Sequence, residues 1–313
     1  RAQRTALLDK CSVLTPMLIT NCTDGNQSMP KSSRYPFAGG TAVITGAAGG
    51  IGSALASQLA IRGSHLALVD KNEFGLAQLR DEIGSHAPHA RITTHHLDLS
   101  QSDAAERLRT EVIDAHQNPT LIINNAGVAL GGMFEQVSMA DVDWLLSINL
   151  RGTLAVTSAF LPHLQQGAHI TNVSSLFGLV APVGNATYAA SKFAVRGFSI
   201  ALREELKPRG ISVTSVHPGG VRTSIALSSR RGPGVSDEQW AWGQAEASRL
   251  LTRDPQAAAA SILKAIYRRR PRVLIGPEAY AGDVLARLAP ARATAVIGGL
   301  IRWRAGGQAP PVR

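Results

Sequence analysis

The sequence predicts an α/β fold: a doubly wound parallel sheet of about seven strands in a three-layer, single-domain architecture. Three observations carry this. Short β-rich runs alternate with amphipathic helical stretches from Thr41 to about Gly220. The first run leads directly into a glycine-dense segment and then a helical pattern. At 313 residues, 44% of them hydrophobic, the chain is long and apolar enough to build one large core. Strand–helix alternation requires crossover connections of one hand, and these cover a parallel sheet on both faces.

The β-rich runs are Thr41–Thr45, His65–Val69, Arg91–Leu97, Thr120–Asn124, His169–Val173 and Ile211–His217. Between them the apolar spacing predicts helices over Glu73–Ile83, Ser102–His116, Val142–Leu161 and Tyr188–Leu206. After Gly220 come a polar Gly/Pro-containing segment, two more helical patterns, a strand at Arg272–Ile275 and a basic tail. Residues 1–38 are Ser/Thr/Asn/Gln-rich without a sustained period and read as a disordered or non-native extension, with Met29 as the natural start. The α/β domain is expected over 39–280 and the tail over 281–313. The extension lacks the pattern of a signal peptide. No run of eighteen apolar residues occurs, so no spanning helix is expected.

Both cysteines, Cys11 and Cys22, lie in the extension, which fits a cytoplasmic protein without structural disulfides. The nine histidines show no metal-ligand spacing and read as loop and strand-end residues, so no metal is expected. The formal net charge is +10, and from Arg249 onward twelve Lys/Arg face three carboxylates. No aromatic-interleaved basic motif accompanies them, which argues against nucleic acid and for a solvated basic face.

The first strand ends in Thr45-Gly46-Ala47-Ala48-Gly49-Gly50-Ile51-Gly52. Gly46 permits a tight turn, Gly49 or Gly50 lets a pyrophosphate approach the backbone, and Gly52 allows close helix–strand packing. At the head of a strand–turn–helix unit this reads as dinucleotide binding, with the anion on the helix N-terminus. Asp70 ends the second strand, where a carboxylate accepts from ribose hydroxyls and repels a 2′-phosphate. That favours NAD(H) over NADP(H), although Lys71 follows it. Asp98 is placed either to meet an adenine edge or to cap the helix that follows.

Tyr188 and Lys192 stand four residues apart on a predicted helix, so phenol and ammonium point the same way, and Ser175 lies thirteen residues upstream. A nearby cation favours the phenolate, and a tyrosine tuned in this way can shuttle a proton to or from an alcohol or ketone oxygen.

In these features the chain resembles the short-chain dehydrogenase/reductase superfamily, in its compact single-domain branch with a Rossmann-like fold. The resemblance spans about Phe37 to Thr223. It includes the glycine loop, Asp98-Leu99, Asn124-Asn125-Ala126-Gly127, Asn149, Asn172-Val173-Ser174-Ser175, the Tyr188/Lys192 pair, and His217-Pro218-Gly219-Gly220-Val221-Arg222-Thr223. It implies Tyr188 as general acid/base, and Lys192 as the residue that holds the nicotinamide ribose and lowers the tyrosine pKa. Ser175 would donate to the substrate oxygen, and Asn149 would anchor a water that connects Lys192 to solvent. Val173 and Ala126 would border the cofactor, while Pro218 to Thr223 would hold the carboxamide. Residues 224–250 resemble a substrate lid.

Leu176, Phe177, Val180 and Val183 are candidates for an apolar pocket wall. Trp240 and Trp242, two apart, cannot share a helical face, so at most one lines a pocket. The expectation is an NAD(H)-dependent dehydrogenase/reductase for a lipophilic secondary alcohol or ketone. Its alternatives are an NADPH-dependent 3-oxoacyl thioester reductase and a non-catalytic dinucleotide sensor. A homodimer or homotetramer is expected. The apolar–basic tail would pack on a neighbouring subunit or lie peripherally on a membrane surface.

Overall fold

The structure is a computed structural model that describes residues 34–296 and residue 299. Cys11, Cys22, Met29 and nearly all of the tail beyond 296 lie outside the described residues. Seven parallel strands form the main sheet in the order β3-β2-β1-β4-β6-β7-β9: Thr41–Thr45 (β1), His65–Asp70 (β2), Ile92–His96 (β3), Leu121–Asn124 (β4), His169–Val173 (β6), Ser212–Pro218 (β7) and Arg272–Ile275 (β9). The order reverses between β1 and β4, which opens a crevice at the carboxyl ends of those strands, the usual ligand position in such sheets.

Helices cover both faces. Gly50–Ile61 (α1), Glu73–His86 (α2) and Pro255–Tyr267 (α8) pack on one side through Leu55, Leu59, Leu76, Ile262 and Ile266. Ala104–His116 (α3), Thr153–Phe160 (α5) and Ala186–Leu206 (α6) pack on the other through Leu108, Val112, Phe160 and Leu202. Within β1, Val43 joins the second cluster and its neighbours Ala42 and Ile44 the first, which is the two-residue alternation of a strand buried on both faces. Each fully buried Leu, Ile or Phe contributes roughly 1.5–3 kcal/mol.

The N-terminal part of the described chain joins this core. Tyr35 is buried, its hydroxyl bonds Thr120 Oγ1 at 2.8 Å, and its amide donates to Tyr267 O at 2.9 Å.

Several details depart from the sequence reading. The single helix expected over Val142–Leu161 is α4 (Met139–Leu146), a π-helical turn at Ser147–Gly152, and then α5. Met139–His163 together is long and apolar enough to cross a membrane by length and composition, yet half of it is buried in the fold, against Leu108 and Leu202 among others.

The segment after Thr223 is ordered by contacts distant in sequence. Arg230–Arg231 (β8) pairs in parallel with Leu130–Gly131 (β5), and Asp237–Leu250 forms α7 behind a Ser236/Gln239 capping box. The Arg230 guanidinium lies 3.7 Å from the Trp144 ring centroid and 3.0 Å from Asp141 Oδ1.

The described basic residues of the C-terminal region are exposed or half-buried, as expected, and several of them are paired. Arg272 and Arg287 both reach Asp283, Arg253 reaches Glu278, and Arg269 lies over the Tyr35 ring. Asp283 and Glu278 belong to α9, Pro277–Leu288. Of the histidines, His65, His96, His169 and His217 stand at or next to strand ends, as expected, and His95, His116, His169 and His217 are buried.

Candidate active site

The glycine segment between β1 and α1 is shaped by close backbone approaches. Gly46 has φ +65°, and a Cβ there would lie 2.8 Å from Ala126 Cα. A Cβ on Gly52 would lie 2.1 Å from Gly46 O. No side chain caps α1 at Gly49, and its first turn carries no acid. The helix N-terminus therefore presents backbone N–H groups and a positive dipole end to the crevice.

Thr45 Oγ1 accepts from the amides of Asn125 and Ala126, both at 3.0 Å, and Asn125 Nδ2 returns to Thr45 O and Gly46 O. The motif after β4 is thereby tied to the glycine loop. Asp70 stands at the carboxyl end of β2, and its Oδ2 accepts from Ala48 N at 3.0 Å. Asp98 Oδ1 accepts from Ser100 N, while α3 starts behind Asp103, so Asp98 does not cap that helix. Leu99 packs against Gly152 of the π turn.

On the other side of the crevice, β6 ends at Val173 and leads to Ser175, while α6 carries Tyr188 and Lys192. Lys192 Nζ donates to Val173 O at 3.1 Å and lies 5.8 Å from the Tyr188 ring centroid. Asn149 sits within the π turn, a local widening of the helix that often marks functional positions. Its Oδ1 accepts from Val128 N at 2.8 Å, and its Nδ2 donates to Val128 O and to Ser191 Oγ. Ser191 Oγ in turn donates to Tyr188 O at 2.7 Å. A Cβ on Gly127 would lie 3.1 Å from Lys192 Nζ and 3.3 Å from Asn149 Oδ1, so both polar groups converge on that glycine. Phe177 meets the Tyr188 ring edge-on at 6.1 Å.

The electrostatics correct one expectation. Burial pushes the Tyr188 phenol up to about 12, with the Ser175 hydroxyl pulling against it, rather than down as a neighbouring ammonium alone would. Burial also pushes Lys192 down to about 8, because the same enclosure disfavours its charge.

The loop after β7 completes the arrangement. Pro218 ends the strand, Val221 is buried, and Thr223 Cγ2 would lie 3.1 Å from a Cβ on Gly50, at the start of α1. Five groups of residues thus surround one crevice: the glycine loop with Asp70, the 124–127 turn, Asn149, the Ser175/Tyr188/Lys192 group and the 218–223 loop.

The family model described as short chain dehydrogenase matches residues 40–233. The chain is a short-chain dehydrogenase/reductase. An oxidoreductase named SadH from Mycobacterium tuberculosis is 37% identical over 259 residues, covering 80% of this chain and 91% of that protein. A dehydrogenase/reductase SDR family member 7B from Xenopus laevis is 30% identical, covering 74% of this chain and 72% of its own. Among solved structures, a short-chain dehydrogenase/reductase from Burkholderia phymatum in complex with NAD superposes with a TM-score of 0.69 at 25% identity. That match covers 89% of this chain and 99% of the other. One from Burkholderia cenocepacia in complex with NADP gives 0.68 at 26% identity, covering 78% and 99%.

This short-chain dehydrogenase/reductase is an oxidoreductase that uses a nicotinamide dinucleotide. The cradle fits such a group: Gly46 and Gly52 leave no room for side chains, and α1 offers an uncapped N-terminus.

Reading the sequence missed Ser191, Arg253, Glu278 and the Arg230–Trp144 contact. Ser191 lies next to Lys192 and could have been suspected from the buried face of α6. The others act across long sequence separations that no local pattern encodes.

Proposed function

We propose that this chain transfers a hydride between NAD(H) and a lipophilic secondary alcohol or ketone, with Tyr188 as the general acid/base. The observation that carries this reading is the convergence of Ser175, Tyr188, Lys192 and Asn149 beside a glycine-shaped dinucleotide cradle.

A bound nicotinamide supplies the hydride acceptor or donor. In reduction the Tyr188 phenol gives its proton to the carbonyl oxygen, and in oxidation its oxygen takes the proton of the alcohol as its own proton moves on toward Lys192. The Ser175 hydroxyl donates to the same oxygen and stabilises the charge that develops there. Lys192, at about 8, changes protonation near working pH at small cost and passes the proton on past Asn149.

Gly46, Ala48, Gly49, Gly50, Ile51 and Gly52 would hold the pyrophosphate side, with Asp70 on the adenosine ribose and Asp98 and Leu99 beside the adenine. Asn125, Ala126, Gly127 and Val173 would line the middle of the cofactor, and Pro218, Gly219, Val221 and Thr223 its nicotinamide end. The NAD preference is supported by Asp70, held next to Ala48 where a 2′-phosphate would meet a carboxylate.

A lipophilic substrate is supported by Phe177 against the Tyr188 ring and Leu176 in the same turn. Val180 is buried and Val183 is exposed, so of this pair Val183 alone is available to a ligand from solvent. Leu154, Phe193 and Ile200, exposed apolar side chains on α5 and α6, support self-association as a homodimer or homotetramer.

The test is a panel of secondary alcohols, ketones and 3-oxoacyl thioesters with both cofactors, read by nicotinamide absorbance. The expected result is turnover of apolar alcohols or ketones with NAD(H) favoured. Turnover confined to 3-oxoacyl thioesters with NADPH would replace this reading.

A further inference from the structure

We propose that Glu278 is a positioning residue: it locks the 218–223 loop so that the nicotinamide end of the cofactor is bound. The proposal rests on the reading of that loop as the nicotinamide contact.

Glu278 lies in the first turn of α9, at the far edge of the sheet from the glycine loop, yet its carboxylate reaches back to the crevice. Gly220 N donates to Glu278 Oε1 at 2.9 Å. A Cβ on Gly219 would lie 2.1 Å from that same oxygen, so the carboxyl group occupies the space a side chain at 219 would need. The reach depends on the turn before α9. Gly276 has φ +95°, and a Cβ there would lie 2.3 Å from Glu278 Oε1. The pairing of β7 with β9 sets the register, since Gly219 N donates to Ile275 O at 2.8 Å.

Arg253 holds the loop from a second direction. Its amide donates to Gly220 O at 2.9 Å, its carbonyl accepts from Arg222 N at 2.8 Å, and its guanidinium lies 3.4 Å from Glu278 Oε2. Gly220 is therefore gripped at its N–H by a carboxylate and at its carbonyl by a backbone amide.

A hydrogen bond to a charged acceptor is roughly twice as strong as a neutral one, and loop glycines left without it regain several backbone states. Val221 and Thr223, one and three residues further on, inherit their positions from Gly220. Thr223 in turn lies over Gly50. The same helix also braces the other wall of the crevice, because a Cβ on Gly282 would lie 2.6 Å from Leu176 Cδ1, one residue after Ser175. In this account α9 aligns the carboxamide-holding loop with the group that handles the proton.

The experiment measures binding of NADH and of ADP-ribose, which lacks the nicotinamide, to wild type, Glu278→Ala and Glu278→Gln, with a melting curve for each. Glu278→Ala is expected to weaken NADH about tenfold and ADP-ribose less than about twofold. Glu278→Gln keeps an acceptor for Gly220 N and is expected to stay within about threefold of wild type for NADH. A nicotinamide preference that survives intact in Glu278→Ala would overturn the proposal alone. Equal weakening of both ligands, in step with a fall in melting temperature, would also overturn it by reducing Glu278 to general support. Equal affinity of the wild type for NADH and ADP-ribose would overturn the loop reading itself.

Discussion

The side of the crevice built by β1, β2 and β4 is made largely of backbone, while the side built by β6, α6 and β7 is made of buried polar side chains. On the first side the working groups are amides and glycine positions, with Thr45, Asp70 and Asn125 as the few polar side chains that tie them together. On the second side Asn149, Asn172, Ser174, Ser191, Lys192, Ser199 and His217 are all buried, linked by bonds such as Asn172 Nδ2 to Ser199 Oγ and His217 Nδ1 with Ser175 O. The two solutions fail differently. A backbone cradle is damaged by added atoms, whereas a buried polar network is damaged by changed charge or a lost partner.

The largest effect is expected from an added atom on the backbone side. In Gly52→Ala the new Cβ meets Gly46 O, a backbone atom that cannot swing aside. A loss of about 3 kcal/mol of stability and a sharp loss of dinucleotide binding are expected, read by denaturant unfolding and NADH titration. An unchanged unfolding midpoint would remove the close-packing argument for this loop.

The next effect is set by acid and falls on His217, on the polar side, and on His169, at the amino end of β6 away from the crevice. Burial pushes His169 down to about 3 and His217 down to about 4, from an ordinary value of 6.5. Below pH 6.5 the unfolded chain takes up protons at these positions that the folded chain refuses. Stability therefore falls as pH drops from about 6.5 toward 4, by up to about 3 kcal/mol per pH unit for the two groups together. The expected sign is that His217→Gln flattens this slope in urea midpoints measured between pH 4 and 7. An identical slope in the variant would show that His217 does not titrate in this way.

A smaller effect of the same sign, at higher pH, is expected at Lys192. Its folded value of about 8 lies below the ordinary 10.5, so the folded state bears the cost of a buried ammonium at neutral pH, and stability rises as pH climbs from about 8 to 10.5. Lys192→Met is expected to raise stability by about 1 kcal/mol at pH 7 while turnover is lost. A destabilised variant would mean that the Nζ bond to Val173 O outweighs the burial cost.

The difference between the two sides also explains what could be read from the sequence. The strands were legible because burial on both faces writes a run of apolar residues. Thr41–Thr45 and His169–Val173, buried along their length, appear where the pattern put them, as does the half-buried edge strand Arg272–Ile275. The glycine loop was legible because strand, turn and helix are contiguous. Tyr188 and Lys192 were legible because one helical turn relates them.

Asn149 was visible as a residue, but its setting was not. Nothing in Ile-Asn-Leu-Arg-Gly distinguishes a π turn from ordinary helix. The direction of the Tyr188 shift was missed because spacing reveals the nearby cation and not the burial that outweighs it. The β5–β8 pair, the Arg230–Trp144 contact and the grip of Glu278 on Gly220 each join residues more than fifty apart in the chain, which local patterning does not record.

The central claim is that Tyr188 handles the proton on a site whose dinucleotide cradle is otherwise independent of it. The most direct measurement is Tyr188→Phe, assayed for turnover on the best substrate of the panel and for NADH binding by titration. The account predicts a fall in kcat of about a thousandfold or more, with NADH affinity within about twofold of wild type. Turnover within about tenfold of wild type, with binding intact, would contradict it.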